Sequence, residues 1–377
     1  MPAIMALLFL WTGKKIMQTL PGIRLTPRKF KAIANDHKKS AEAVNLLYVT
    51  DAEPGIERVK KSNNFLYVFN KKKVNDKAII ERIKTLVIPP AWKNVWICKF
   101  PQGHIQSTGI DAKNRKQYKY HPLWNQLRNH TKFFRLLEFG ESLPQLRLQL
   151  EKDISQKDLT EEKVLATVIS LMERTYIRVG NSSYEKLYGS HGLTTLKDKH
   201  VKINGETLSF AFKGKKGIHH NISIKNKRLA RIVKQCRDIP GKELFQYKDE
   251  NGNFKTIDSG KVNAYIKNIT GKEFTAKDFR TWAGSLNALL AFKKIGFAET
   301  VTASKKNVVE ALEIVSHQLG NTRTVCKKYY VHPVIIEMYE NKSLQYYLDE
   351  LDKIEKGDDR TGLAIEEKIL MKILKSN

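Results

Sequence analysis

The sequence predicts an α+β protein: a small β-rich N-terminal domain followed by a larger, mainly α-helical domain that carries a β-hairpin. Three observations lead there. Short runs of β-branched and aromatic residues, broken by Gly and Pro turns, fill the chain up to Lys119. Beyond it, apolar residues recur at helical spacing. Inside that helical part, two strand-like runs meet through Gly214-Lys215-Lys216-Gly217, a hairpin signature. The expected division is an extension over 1–44, a β-rich domain over 45–119, a helical domain over 120–340 and a helical tail over 341–377.

Composition bounds the partner. Lysine and arginine number 67 against 39 aspartates and glutamates, a formal net charge of +28 over 377 residues. That excess points to a polyanion, because neutralised phosphates release counterions and supply much of non-specific affinity; nucleic acid leads. A hydrophobic content of 41% excludes wholesale disorder and suffices for ordinary cores. Cys98, Cys236 and Cys326 form no CxxC pair, so neither a disulfide framework nor a zinc site is expected, and a reducing cytoplasm fits. The apolar start, 1–11, has no basic leader and is too short to span a bilayer, so it reads as neither signal nor anchor.

Taken in order, 23–39 is a basic arm, either lying on DNA or solvated. Segments 45–50 and 65–69 read as strands around a turn at 51–55, and a helix over 76–86 ends before Pro89-Pro90. Segments 95–98 and 103–107 are again strand-like. In Arg115-Lys116-Gln117-Tyr118-Lys119-Tyr120, cations alternate with tyrosines, which suits nucleic-acid contact or an edge tyrosine pair packed on its own domain. Helices are expected over 124–137, 144–150 and 160–176, the last with Val164, Val168 and Leu171 on one face and ending at Ile177-Arg178-Val179-Gly180-Asn181. Segments 193–196 and 200–203 are strand-like and lead into the hairpin, whose tip lysine can reach into a minor groove, deliver a proton or sit in solvent. Adjacent His219 and His220 point to opposite faces of a strand, so they are not a joint metal site. Helical spacing resumes at 228–236, again through Leu286, Leu289 and Leu290, and then through Val308, Leu312, Val315 and Leu319, where Gly320 is the C-cap. The tail holds two helices, 344–354 and 365–374.

After that cap comes Val325-Cys326-Lys327-Lys328-Tyr329-Tyr330-Val331-His332-Pro333. A phenol with an ordinary pKa of about 10 attacks phosphate only where its proton is taken or its anion stabilised. Fixed guanidiniums oppose the charge that develops on the non-bridging oxygens. The leaving sugar oxygen needs a proton, which a lysine can give. One Tyr, two or more Arg, one Lys and a neutral donor are therefore called for.

That set occurs in order in Ile177-Arg178-Val179-Gly180-Asn181, Phe212-Lys213-Gly214-Lys215-Lys216-Gly217, Lys277-Asp278-Phe279-Arg280-Thr281-Trp282, Leu319-Gly320-Asn321-Thr322 and the tyrosine segment. Together with Ile88-Pro89-Pro90-Ala91-Trp92 and Gly103-His104-Ile105-Gln106, it makes the chain resemble the type IB DNA topoisomerases of the small bacterial and poxvirus kind. The resemblance implies Tyr330 as nucleophile, forming a 3′-phosphotyrosyl bond, with Tyr329 as rival. It implies Lys215 as general acid, with Lys213 and Lys216 as alternatives, and Arg178 assisting proton transfer and binding phosphate. Arg280 and Asn321 would hold the non-bridging oxygens, Asn321 standing where poxvirus-type enzymes have His. Arg323 stands where bacterial relatives often have Pro. The DNA-binding residues expected are Arg115, Lys116, Gln117, Tyr118, Tyr120 and Tyr184. The family also implies double-stranded DNA as partner, a monomer closed as a clamp around it and a nucleoid-associated cytoplasmic location. Supercoils of either sign would be relaxed without ATP, metal or cofactor. A tyrosine site-specific recombinase and a non-catalytic basic DNA-binding protein are the competing readings.

Overall fold

The structure, a computed structural model, describes residues 36–353 and 361–376 apart from 63, 113 and 242. The apolar start and nearly all of the basic arm lie outside the described residues. The chain divides between Phe134 and Arg135 into two compact units.

The first unit opens with α1 (His37–Glu42), whose N-cap Asp36 accepts from the amides of Lys38 and Lys39. It continues through β1 (Ile56–Lys61), β2 (Asn64–Phe69), β3 (Lys72–Lys73), α2 (Lys77–Thr85), β4 (Lys93–Ile97), β5 (Ile105–Ile110) and β6 (Lys116–Tyr120). Among the described residues these strands form one antiparallel sheet in the order β3-β2-β1-β4-β5-β6. Its core is Ile56, Ile83, Val95 and Ile97. Arg58 donates to the carbonyls of Ile88, Pro89 and Trp92, which gives the Ile-Pro-Pro-Ala-Trp run its shape.

The strand expected over 45–50 is not one. Asn45 turns left-handed with φ 55 after α1, and only Leu47 makes a bridge, to Gly103. The Val49 amide donates to His104 Nδ1 instead of to a neighbouring strand, so a buried side chain takes the place of a ladder.

The two helices expected over 124–137 and 144–150 are one continuous α3 (Pro122–Ile154) that runs through Pro144. An interior proline costs about 3 kcal/mol. Phe139, Leu143, Leu146 and Leu150 are all buried on either side of it, and burial of that many large side chains outweighs the cost. The change in composition at Lys119 thus marks the end of β6, while the division between units falls inside α3.

The second unit continues with α4 (Glu161–Thr175), α5 (Ser182–Tyr188), β7 (Val201–Asn204), β8 (Thr207–Lys213), β9 (His219–Lys225), α6 (Lys227–Arg237), β10 (Gln246–Lys248), β11 (Phe254–Thr256) and α7 (Ser259–Thr270). Then come α8 (Ala276–Ile295), α9 (Val301–Leu319), α10 (Arg323–Tyr329), α11 (Pro333–Glu340), α12 (Gln345–Lys353) and α13 (Ile365–Ser376). The strand expected over 193–196 is a short 3-10 turn, Leu193–Thr195, all buried. β7, β8 and β9 form an antiparallel sheet in that order, with Phe212 opposite His220. Helix α8 is buried on most sides, from Phe279 and Trp282 to Leu289 and Phe292, and forms the axis of the unit.

The tail is built into this core. Helix α13 buries Ile369, Leu370 and Ile373, and its Glu367 accepts from Arg147 (2.8 Å, twice) and from Trp282 Nε1 (2.9 Å). Arg147 also reaches Glu173 at 2.6 Å, so one buried ionic cluster joins α3, α4, α8 and α13. Among the described residues no helix is long and apolar enough to cross a membrane.

Candidate active site

Arg178 follows α4 by way of Tyr176, which ends the helix in the left-handed region at φ 57. The segment is held extended by the amides of Leu193 and Thr194, which donate to the carbonyls of Arg178 and Val179. Its guanidinium Nη2 then donates to Asn321 Oδ1 at 2.6 Å and to the Gly320 carbonyl at 3.2 Å. Burial, and then the charge of Arg280, hold Arg178 below the usual guanidinium range.

Arg280 lies in the first turns of α8, and the Asp278 of its motif has a structural task. Asp278 Oδ2 accepts from the Thr275 amide (2.8 Å) and hydroxyl (2.9 Å), capping the helix. The Arg280 side chain, only 5% exposed, donates to the carbonyls of Tyr176 and Leu319, the latter at 2.6 Å. Its guanidinium carbon stands 5.1 Å from the centre of the Tyr330 ring. Its buried Nε makes no hydrogen bond within the protein.

Asn321 sits on the turn after α9. Gly320 takes φ +56 there, and the Asn321 amide returns to the Ser316 carbonyl at 3.0 Å. Tyr330 ends the short α10, its amide donating to the Cys326 carbonyl at 2.9 Å. Its own carbonyl lies against Gly284 of α8, where an added Cβ would fall 2.6 Å from it. The next residue, Ser285, donates to that carbonyl (3.3 Å) and accepts from the His332 amide (3.0 Å), pinning both sides of the tyrosine. His332 caps α11, and Pro333 starts it. Tyr329, by contrast, is exposed beneath Lys328.

Lys215 stands at the hairpin tip, its ammonium 6.0 Å from the centre of the Tyr184 ring. Crowding by protein atoms lowers its pKa first, and the cations of Arg178, Lys216 and Lys277 lower it further, while Tyr330 opposes. Cys326 is buried, and burial pushes its thiol up to about 11 against the opposing charges of Arg280 and Arg178.

Of the five residues expected to act on phosphate, Arg178, Arg280, Asn321 and Tyr330 thus meet in the second unit, and Lys215, beside Tyr184, is near enough to feel the charge of Arg178. The β6 set lies in the first unit. There Arg115 and Gln117 both donate to Asp111, and Lys116 pairs with Asp51 at 2.6 Å. Tyr118, 43% exposed, stacks on Tyr120 with ring centres 5.8 Å apart. Gly284, Ser285 and His220 were assigned no part in the site by sequence reasoning. The Gly-Ser pair lies just beyond the Arg280 motif with no local signal to mark it, since only the folded chain brings Tyr330 against it. Among the described residues no group of three or more His, Cys, Asp or Glu side chains is placed to hold a metal ion.

A phenol beside two guanidiniums, an amide and a lysine has the make-up of a site for a phosphodiester. Comparison with known proteins bears on which one. Residues 121–356 match the family model described as "Eukaryotic DNA topoisomerase I, catalytic core", and 64–111 match "Bacterial DNA topoisomerase IB, N-terminal domain". The chain is 34% identical over 331 residues to a DNA topoisomerase 1B of Acanthamoeba polyphaga mimivirus, covering 85% of this chain and 95% of the relative. It is 26% identical over 248 residues to the DNA topoisomerase 1B of vaccinia virus (strain Copenhagen), covering 65% and 74%. A solved XerH site-specific recombinase bound to its difH substrate aligns over 51% of this chain and 49% of that one, at 16% identity and a TM-score of 0.32, too low to bear on the fold. The chain belongs to the type IB DNA topoisomerases. It acts on DNA and relaxes supercoils by transient single-strand cleavage and religation.

Proposed function

We propose that Tyr330 is the nucleophile of this relaxation, served by Arg178, Lys215, Arg280 and Asn321. Tyr330 Oη attacks the scissile phosphorus, its proton passing to solvent. The P–O5′ bond breaks as the 3′-phosphotyrosyl bond forms, and the departing 5′-oxygen takes a proton from Lys215 Nζ. Religation reverses each transfer, so the energy of the diester is kept and the balance needs no ATP.

The observation that carries this reading is the Arg280 guanidinium, fixed by two carbonyls beside the Tyr330 ring with a buried Nε donor left unspent. An unsatisfied buried donor costs about 1–3 kcal/mol. A non-bridging phosphate oxygen meeting it would relieve that cost as charge develops, which is where stabilisation accelerates the step. Asn321 Nδ2 supplies a neutral donor, and its Oδ1 keeps Arg178 in place. The lowered Lys215 pKa favours release of a proton, as a general acid requires.

The two units would close around duplex DNA as a clamp, one copy per site. The Tyr118 and Tyr120 face of β6, with Arg115, Lys116 and Gln117 beside it, is the proposed contact of the first unit, and Tyr184 that of the second. With +28 net charge, the enzyme would stay on nucleoid DNA.

The test is relaxation of positively and negatively supercoiled plasmid by wild type, Tyr330→Phe and Tyr329→Phe, with detergent trapping of covalent adducts. The expected outcome is loss of relaxation and of the 3′-linked adduct in Tyr330→Phe alone. Adduct formation by Tyr330→Phe would move the assignment to Tyr329.

A further inference from the structure

We infer that His220 is a positioning residue that sets the gap between the Lys215 hairpin tip and the Asn321 turn. This rests on the proposed role of Lys215 as general acid.

His220 lies opposite Phe212 in the β8–β9 ladder and stacks on it, ring centres 5.0 Å apart and planes 21° from parallel. Its imidazole then meets two glycine backbones from different elements. A Cβ built on Gly214 would fall 2.6 Å from His220 Cδ2 and 2.7 Å from Nε2. A Cβ built on Gly320 would fall 2.7 Å from Cε1 and 3.4 Å from Nε2. The Nε2 corner of the ring is therefore wedged between Gly214 and Gly320.

Each glycine immediately precedes a residue of the site. Gly214 leads into Lys215, and Gly320 into Asn321, with the Gly320 carbonyl accepting from Arg178. Gly320 also needs its φ of +56, but Gly214 has φ −94, which any residue adopts. At Gly214 only the approach of the ring accounts for the missing side chain. Beyond it the tip runs through left-handed Lys216 (φ 62) and Gly217 (φ 79), so the packing at its base decides where Lys215 stands. Burial, then Arg178 and Arg280, disfavour a charge on the imidazole, so the wedge is a neutral one.

The hairpin and the α9 turn share no covalent neighbourhood. Removing the wedge leaves Arg178, Arg280 and Asn321 tied to carbonyls and to one another, while the tip loses its stop. The loss should appear in protonation of the leaving oxygen, not in attack.

Single-turnover cleavage of an ordinary duplex is compared with cleavage of one whose scissile 5′-oxygen is replaced by sulfur, a leaving group that departs as thiolate without a proton. His220→Ala is expected to slow the ordinary duplex about 10²-fold, the low end of what general acid catalysis supplies. It should cleave the sulfur duplex at close to the wild-type rate, and His219→Ala, on the opposite face, should change neither. Gly214→Ala should slow the ordinary duplex by collision with the ring, and Gly214→Ala with His220→Ala should be no slower than His220→Ala alone. Equal slowing of both duplexes by His220→Ala, or additive effects in the double variant, would overturn the inference. Lys215→Ala, run alongside, separates the two claims. If sulfur does not rescue it, the acid assignment falls, while non-additivity of Gly214 and His220 still reads the wedge directly.

Discussion

Gly284→Ala tests how closely the nucleophile is held. Tyr330 rests on the surface of α8 at a residue without a side chain, and an added methyl would stand 2.6 Å from its carbonyl oxygen, 2.8 Å from its Cβ and 2.9 Å from its carbonyl carbon. Ordinary contact begins at 3.4 Å, so the segment must move by about 0.8 Å. The opposing atoms are mainly backbone, and the neighbouring Ser285 ties the same segment at both Tyr330 and His332, so no flexible side chain can absorb the shift. Overpacking of this kind costs about 1–3 kcal/mol of stability. A misplacement near 1 Å costs about 10²-fold in rate when the reacting geometry is prealigned. Single-turnover formation of the covalent adduct should therefore slow about 10²-fold, with duplex affinity by fluorescence anisotropy unchanged and the urea midpoint modestly reduced. A folded variant that forms adduct at the wild-type rate would refute the claim that Gly284 places the tyrosine.

Other perturbations have equally specific outcomes. Glu367→Gln removes one of the two carboxylates around buried Arg147 and should destabilise the second unit by about 3 kcal/mol in urea melts followed by Trp282 fluorescence. Burial raises the Glu367 pKa, but Arg147 and Trp282 lower it more; its stabilisation is complete above the usual carboxylate range and is lost as pH falls through the depressed folded value, so the wild-type advantage over the variant should shrink below about pH 4. His200 is pushed down to about 4 by burial and then by His191, Lys199 and Lys197. The unfolded chain takes that proton first, so wild-type stability should fall between pH about 6.5 and about 4, and His200→Gln should fall less; parallel melts at pH 7 and pH 5 decide it. Lys116→Ala should lower the salt slope of duplex binding by roughly one, and Asp51→Asn, which releases Lys116 from its 2.6 Å pair, should tighten binding at low salt; no change in either would remove β6 from the DNA contact.

How far the sequence reached can be judged element by element. Helix α4 was plain because Val164, Val168 and Leu171 repeat at helical spacing and Thr160 caps the start. The hairpin was plain because Gly214 and Gly217 bracket its tip. The 45–50 segment imitates a strand because apolar, aromatic and β-branched residues fill it ahead of a turn, while the partner of the Val49 amide is the side chain of His104, far along the chain. Pro144 misled because a local rule about proline ignores what Phe139, Leu143 and Leu146 bury.

The chemistry available is written in the chain: the polyanion partner follows from charge, and the phosphodiester reading follows from one phenol with arginines and a lysine in a recognisable order, because residue types and their spacing are local properties. Where those groups stand is a matter of folding. Arg280 is aimed by the carbonyls of Tyr176 and Leu319, Tyr330 is seated on Gly284, Glu367 ties the tail to α8, and His220 separates two glycines more than a hundred residues apart. These are contacts between elements distant in the chain, fixed by close packing against buried surfaces, and no local pattern records which backbone will come to face which.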